Sequence, residues 1–388
     1  MKRYLKALAT AAFLSVAMQG HAVADTIKVG VIAPFSGPFA IYGKQFQEAI
    51  NVYVSQNGTK AGEHTVEFIY KDSGGPKPDV AKALAQELLI KDRVDYLAGF
   101  VFTPNALAVA PLLNKAKRPA VIFNAATSII TTKSEYFTRV SFTLWQTAVP
   151  LAKWAYEQGM RTVVTAVTDY APGKDGEDAF KDTFEKLGGK VIDQIRMPLS
   201  TKDFSPFLQR IKDKAPDAIF GFLPAGPPTF AFVKAYNEND LKGSGIQFLG
   251  TGETDETNLK ALGDSAIGIT TSYHYSGSHD SDKNREFVGK LKEMYPDSVA
   301  NLASVGAYDG THVLYTMIAA AGKDAGKAME AVKGLTWESP RGPVSIDPKT
   351  RHITQNIYIR KVAKDDNGML INKEFQTIPN VPDLGLQQ

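Results

Sequence analysis

The chain has no cysteine in 388 residues. That excludes disulfides, cysteine nucleophiles, thiolate metal sites and iron–sulfur clusters together. It also lacks net charge: 44 Lys and Arg stand against 41 Asp and Glu. The small surplus is local, because Lys2, Arg3 and Lys6 lie in a first segment of 24 residues that holds no acid. The remainder is balanced, which removes the electrostatic case for nucleic acid or an anionic membrane surface as a partner. Beyond that first segment no apolar run approaches the ~20 residues that span a bilayer. Composition is ordinary globular, 44% apolar and 22% charged, so disorder, collagen and coiled coil are excluded.

Enzyme signatures are missing as well. There is no G-x-S-x-G, no G-x-x-x-x-G-K-[ST] and no H-E-x-x-H. Gly243-Ser244-Gly245 precedes a strand, whereas a dinucleotide fingerprint follows one, so it reads as a turn. His274 and His279 are five residues apart on a Ser/Gly-rich stretch without a third ligand. They read as part of a solvated loop. No cofactor, no metal and no catalysis are indicated.

What is present begins with a secretory signal. Lys2, Arg3 and Lys6 form a positive start, Ala7 to Ala17 an apolar stretch, and Ala22-Val23-Ala24 a small-x-small cleavage site before Asp25. The expectation is cleavage after Ala24 and export to the periplasm.

From Ile27 onward the pattern alternates strand and helix, which argues parallel sheets flanked by helices. Strands are predicted at 27–32, 65–70, 94–98 and 120–123. Between them lie a helix with Phe46, Ile50, Tyr53 and Val54 on one face and another with Val80, Leu84 and Leu88. A second, similar series starts near Trp145, with strands at 162–167, 190–195, 217–222, 247–249 and 267–271. In it, Ser205-Pro206 reads as a helix cap followed by a first-turn proline. Two further helices carry Phe287, Leu291, Met294 and Tyr295, then Val313 to Ala320. The chain returns to strand at 344–346 and 355–362 and ends in a polar tail.

In open parallel sheets, ligands bind beyond the carboxyl ends of the strands. Those positions hold Ser36-Gly37-Pro38 and Tyr42-Gly43, then Phe100, Phe102, Thr103 and Asn105, then Asn124-Ala125-Ala126-Thr127. In the second half they hold Asp169-Tyr170, the stretch from Leu223 to Pro227, Gly252-Glu253, and Tyr273, His274 and Tyr275 at the crossing back. None is Lys or Arg, so neutral hydroxyls and helix N-termini are the available anion donors. Among them are the aromatic Tyr42, Phe100, Phe102, Tyr170 and Tyr273, and Phe100 and Phe102 read equally as core or as cleft.

Taken in order, Ile27-Lys28-Val29-Gly30, Ser36-Gly37-Pro38 with Tyr42-Gly43, Lys202-Asp203-Phe204-Ser205, Ala307-Tyr308-Asp309 and Gly342-Pro343-Val344-Ser345-Ile346-Asp347 resemble the leucine/isoleucine/valine-binding family of type I periplasmic binding proteins, the soluble receptors of ABC importers. The resemblance covers nearly the whole chain after residue 24. It implies an α/β fold of two Rossmann-like lobes joined by a three-crossover hinge, closing on a small solute. Lobe one should comprise 26–142 with 273–345, and lobe two 143–272 with 346–388. It also implies an inner-membrane ABC permease as partner and a monomeric, non-enzymatic receptor; a ligand sensor for a signalling receptor is the alternative role.

Carried over from the family, Thr103 and the Asn124–Thr127 turn fall where a substrate carboxylate is held. Amino-acid binders have consecutive Ser/Thr there, but this chain has Thr103-Pro104-Asn105, and Pro104 has no N–H to give. The family's acidic partner for an ammonium belongs near the Gly252-Glu253 turn, where Glu253 stands one residue out of register. With Ser36, Tyr42, Phe102, Tyr170, Gly226 and Tyr273 completing the candidate set, the expected ligand is an aromatic acid of the benzoate or phenylpropenoid kind. A branched-chain amino acid or an amide is the alternative.

Overall fold

The computed structural model describes residues 25–224 and 226–386. The signal segment, 1–24, lies outside the described residues.

Six strands form the first sheet: β1 (Thr26–Ala33), β2 (Lys60–Ala61), β3 (His64–Asp72), β4 (Tyr96–Gly99), β5 (Ala120–Ile122) and β6 (Phe137–Arg139). Their order is β2-β3-β1-β4-β5-β6, parallel except for the short antiparallel β2. β1 is buried along nearly its whole length, as a strand covered by helices on both faces must be. Helices α1 (Ala40–Asn57), α2 (Pro78–Glu87) and α3 (Thr103–Ala116) connect it. α2 buries Ala81 and Ala85, while Val80 is exposed and Leu84 half-buried. Leu88, just past the last residue of α2, is buried as expected, so the helix face itself lies one position on from Val80 and Leu84.

The second sheet follows α4 (Leu144–Glu157). Its parallel part is β7 (Thr162–Thr168), β8 (Lys190–Met197), β9 (Ala218–Phe222), β10 (Gln247–Gly250) and β11 (Thr270–Tyr273), connected through α5 (Ala171–Lys186), α6 (Ser205–Lys214), α7 (Pro227–Glu238) and α8 (Glu256–Leu262). Ser205 is the first helical residue of α6, one place inside the expected cap, and Phe204 precedes it. The chain then returns to the first lobe for α9 (Asp282–Met294), α10 (Leu302–Ala321) and α11 (Ala325–Ala331). Tyr308 of α10 packs edge-on against Tyr53 of α1, ring centroids 5.2 Å apart.

A last passage brings β12 (Thr336–Ser339), β13 (Gly342–Ile346), β14 (Ile353–Lys364) and β15 (Leu370–Val381) into the second sheet, all antiparallel. Residues 336–345, expected with lobe one, thus pair into the sheet of lobe two. The tail expected to be polar is largely the twelve-residue strand β15. Its polar residues are those of an edge strand with a solvated face.

The chain passes between the lobes three times, after β6, after β11 and after α11. The passages are clamped by a buried ion pair. Arg341 donates from Nε and Nη2 to Asp309 Oδ2 at 2.9 and 2.5 Å, and from Nη1 to the Ser141 carbonyl and Gln355 Oε1, both at 3.0 Å. Both charged side chains are fully buried. This is an α/β, two-lobed type I periplasmic binding protein fold.

Candidate functional site

The carboxyl ends of both sheets face one cleft. At Gly99-Phe100 the backbone takes φ of 103° and 63°. A side chain on Gly99 would meet the Ile32 carbonyl at 2.5 Å, so glycine is required there. The reversal drives Phe100 into the core against Phe137 and delivers Val101, Phe102 and Thr103 to the cleft. Phe100 is therefore core, and Phe102 is wall.

The cavity between the lobes is lined by Tyr42, Val101, Phe102, Thr103, Asn124 and Ala126 from the first sheet's loops. Facing them are Tyr170, Pro172, Phe222, Leu223, Pro224 and Gly252, with Phe142, Tyr273 and Leu302 from or beside the crossings. The cavity is small, with about 50 Å³ of water-accessible volume. That scale suits a compact solute.

No charged side chain is among the described lining residues. Positive potential comes instead from helix ends: Tyr42, Thr103, Pro172 and Leu302 all lie in the first turns of α1, α3, α5 and α10. Thr103 Oγ1 is 2.9 Å from Thr127 Oγ1, both buried. Aromatic contacts build the rest. Tyr42 meets Phe102 edge-on at 6.4 Å, Tyr170 stacks on Phe222 at 6.1 Å, and Phe142 meets Tyr273 at 4.9 Å. Burial pushes the phenols of Tyr170 and Tyr273 above their usual range, so both remain neutral hydrogen-bond donors.

Of the expected residues, Tyr42, Phe102, Thr103, Asn124, Ala126, Tyr170 and Tyr273 meet at this wall. Ala125 and Thr127 stand behind it. Their carbonyls accept from Arg139 Nη1 and Nη2 at 3.1 and 2.7 Å, so a fully buried guanidinium pins the turn from below. Burial pushes that guanidinium down to about 10. Four expectations change. Ser36 is exposed, and its hydroxyl hydrogen-bonds Asp72. Asn105 turns to the Gly75 carbonyl at 2.9 Å, bracing the 72–78 turn. Gly226 borders a smaller neighbouring recess, where its N–H donates to Asn258 Oδ1 at 3.2 Å.

Glu253 is the most consequential change. It is fully buried but does not line the cavity. Its oxygens accept the N–H groups of Leu223 (2.9 Å) and Thr251, tying together two cleft loops. Burial pushes its carboxyl up to about 7, against three backbone hydrogen-bond contributions and the charge of Arg360. Its side chain turns into the junction of these loops rather than into the cleft.

Sequence reasoning missed Val101, Phe142, Pro172, Phe222 and Leu302. Phe222 could have been found as the last residue of a strand, and Pro172 as the neighbour of Tyr170. Phe142 and Leu302 reach the cavity only because of where the crossings and α10 lie. The segment expected to be a solvated loop is buried at His274 to Ser276. His274 stacks on Phe142 at 4.9 Å, and burial, with Arg341 and Arg360 nearby, holds it well below the usual imidazole range.

Two lobes meeting over a small, uncharged, aromatic cavity define a solute-binding protein. The chain belongs to the leucine/isoleucine/valine-binding family of type I periplasmic binding proteins, and the family model described as periplasmic binding protein matches residues 26–367. Among curated relatives, a protein of Brucella abortus named Leu/Ile/Val-binding protein homolog 6 is 54% identical over 370 residues, covering 94% of this chain and 95% of its own. A solute-binding protein of an ABC transporter from R. palustris, solved with 4-hydroxybenzoate, is 53% identical with a TM-score of 0.91, covering 94% of this chain and all of its own. Another, from Rhodopseudomonas palustris BisB5 and solved with 3,4-dihydroxybenzoic acid, is 44% identical with a TM-score of 0.89, covering 93% of this chain and 99% of its own. The protein is thus a periplasmic solute-binding protein of the ABC-transporter class.

Proposed function

We propose that this receptor captures a small aromatic carboxylate of the benzoate class by lobe closure and delivers it to an inner-membrane permease. The observation that carries the reading is the uncharged wall. Helix ends and the Thr103 hydroxyl suit a carboxylate, and the rings suit a flat body. With Glu253 committed to Leu223 and Thr251, an amino acid's ammonium would be buried without a carboxylate partner, at a cost of several kcal/mol. The ligands of the two Rhodopseudomonas proteins support the same class.

In this reading Tyr42 and Tyr170 flank the ligand body from opposite lobes, Thr103 holds the carboxylate, and Tyr273 closes the hinge side. The lobes are bounded near residues 142, 273 and 335. A branched-chain amino acid is the second reading, favoured by the name of the Brucella relative. Calorimetric titration of residues 25–388 with 4-hydroxybenzoate, benzoate, 3,4-dihydroxybenzoate, cinnamate and leucine decides between them. Binding confined to the aromatic acids is expected, and heat with leucine alone overturns the proposal.

A further inference from the structure

Beside the cavity lies a contact that the ligand does not need but closure does. Asp255 follows β10 in lobe two and caps α8, its Oδ1 accepting the Thr257 N–H at 3.2 Å. Its other oxygen, Oδ2, accepts the N–H of Leu302 at 3.0 Å. Leu302 is the first residue of α10, in lobe one, and part of the cavity wall. Asn301, the cap of α10, accepts the N–H groups of Ala303 and Ser304, at 3.0 and 2.9 Å. One carboxylate therefore takes an N–H from the first turn of each of two helices in different lobes, at the end where the helix dipole favours negative charge.

Thr257 doubles the connection. Its Oγ1 accepts from Asn301 Nδ2 at 2.6 Å and from Gln45 Nε2 of α1 at 2.9 Å. Asp255, Asn301 and Gln45 are all buried. A recess bordered by Tyr42, Gln45, Gly226, Asp255, Thr257 and Leu302 shares Tyr42 and Leu302 with the ligand cavity. Parting the lobes breaks every one of these interlobe bonds and hydrates Asp255.

We propose that Asp255 and Thr257 form an interlobe clasp, acting on Leu302, Asn301 and Gln45, that holds the closed form and sets the rate of ligand release. The clasp rests on the lobe closure in the functional reading above and is indifferent to which ligand drives it. Asp255 and Thr257 are positioning residues. They set the N-terminus of α10 against the ligand without lining the ligand cavity themselves.

The test is stopped-flow measurement of association and dissociation with 4-hydroxybenzoate, or with leucine if the wild type binds only leucine. T257V keeps the backbone N–H that Asp255 caps, and removes the acceptor shared by Gln45 and Asn301 together with the hydroxyl's own hydrogen bond to Asp255. It should raise the dissociation rate roughly tenfold, the scale of losing buried hydrogen bonds, and leave the association rate within twofold. T257S should restore the wild-type rate. Q45A should raise dissociation too, and Q45A with T257V should cost less than the two effects multiplied, because both remove one bond. Small-angle scattering with and without ligand reads closure itself. A wild type whose radius of gyration is unmoved by saturating ligand overturns closure and the clasp with it. A wild type that closes while T257V releases ligand at an unchanged rate overturns the clasp alone.

Discussion

Thr103 and Thr127 make unequal predictions although they touch. Their hydroxyl oxygens are 2.9 Å apart, but only Thr103 lines the cavity. Each hydroxyl has one proton to give. If Thr127 donates to Thr103, Thr103 is free to donate to a ligand carboxylate, and the two form a short chain. Thr103→Val then removes a hydrogen bond to a charged acceptor, worth ~1.5–3 kcal/mol, which is about 10- to 150-fold in Kd. Thr127→Val removes only the polarisation that the chain supplies, roughly 10–30% of one bond, so the loss stays below about fivefold. Thr103→Val also leaves the Thr127 hydroxyl buried without a partner, which lowers stability by ~1–3 kcal/mol. Calorimetric titration with 4-hydroxybenzoate at 25 °C, where both variants are folded, separates affinity from stability. Thr103→Val within twofold of wild type, or Thr127→Val equally impaired, refutes the reasoning.

Two further outcomes follow from buried charge. Glu253 is raised from 4.5 to about 7 in the folded chain, so the native state holds its proton where the unfolded state has lost it. Stability from this group is full below about pH 4.5 and falls as pH rises to about 7, by up to ~3 kcal/mol. Glu253→Gln lacks that dependence. The stability difference, wild type minus variant, should therefore decline across that window in urea titrations, and a flat difference would contradict the assignment. At the hinge, Arg341→Met leaves Asp309 buried with Trp337 and Ser339 as donors but without a cation. It should cost ~3–5 kcal/mol by denaturant midpoint, and Arg341→Met with Asp309→Leu should recover much of that loss.

Much of this molecule is legible in the order of its residues. Alternating strand and helix segments declare parallel sheets, because a buried strand and a crossover helix each carry a recognisable apolar period. Strand-end loops can be located the same way, which is why Tyr42, Phe102, Thr103, Tyr170 and Tyr273 were found without coordinates. The absence of Lys and Arg from those loops already pointed to neutral donors. These are local properties of the chain.

What required the tertiary structure is direction and distance. Glu253 sits at the expected loop, yet only the fold shows that its carboxylate meets the N–H groups of Leu223 and Thr251 rather than the cavity. Arg139 is a buried cation beneath the Asn124–Thr127 turn, but it belongs to a strand, so a search of loops passes over it. Leu302 and Phe142 reach the cavity through helix placement and crossings that bring together residues far apart in sequence. The strand at 370–381 reads as a polar tail because only one of its faces is packed. Which N–H meets which carboxylate across the lobes, as at Asp255 and Leu302, follows from closing one sheet's loops over the other's, and no local pattern encodes that meeting.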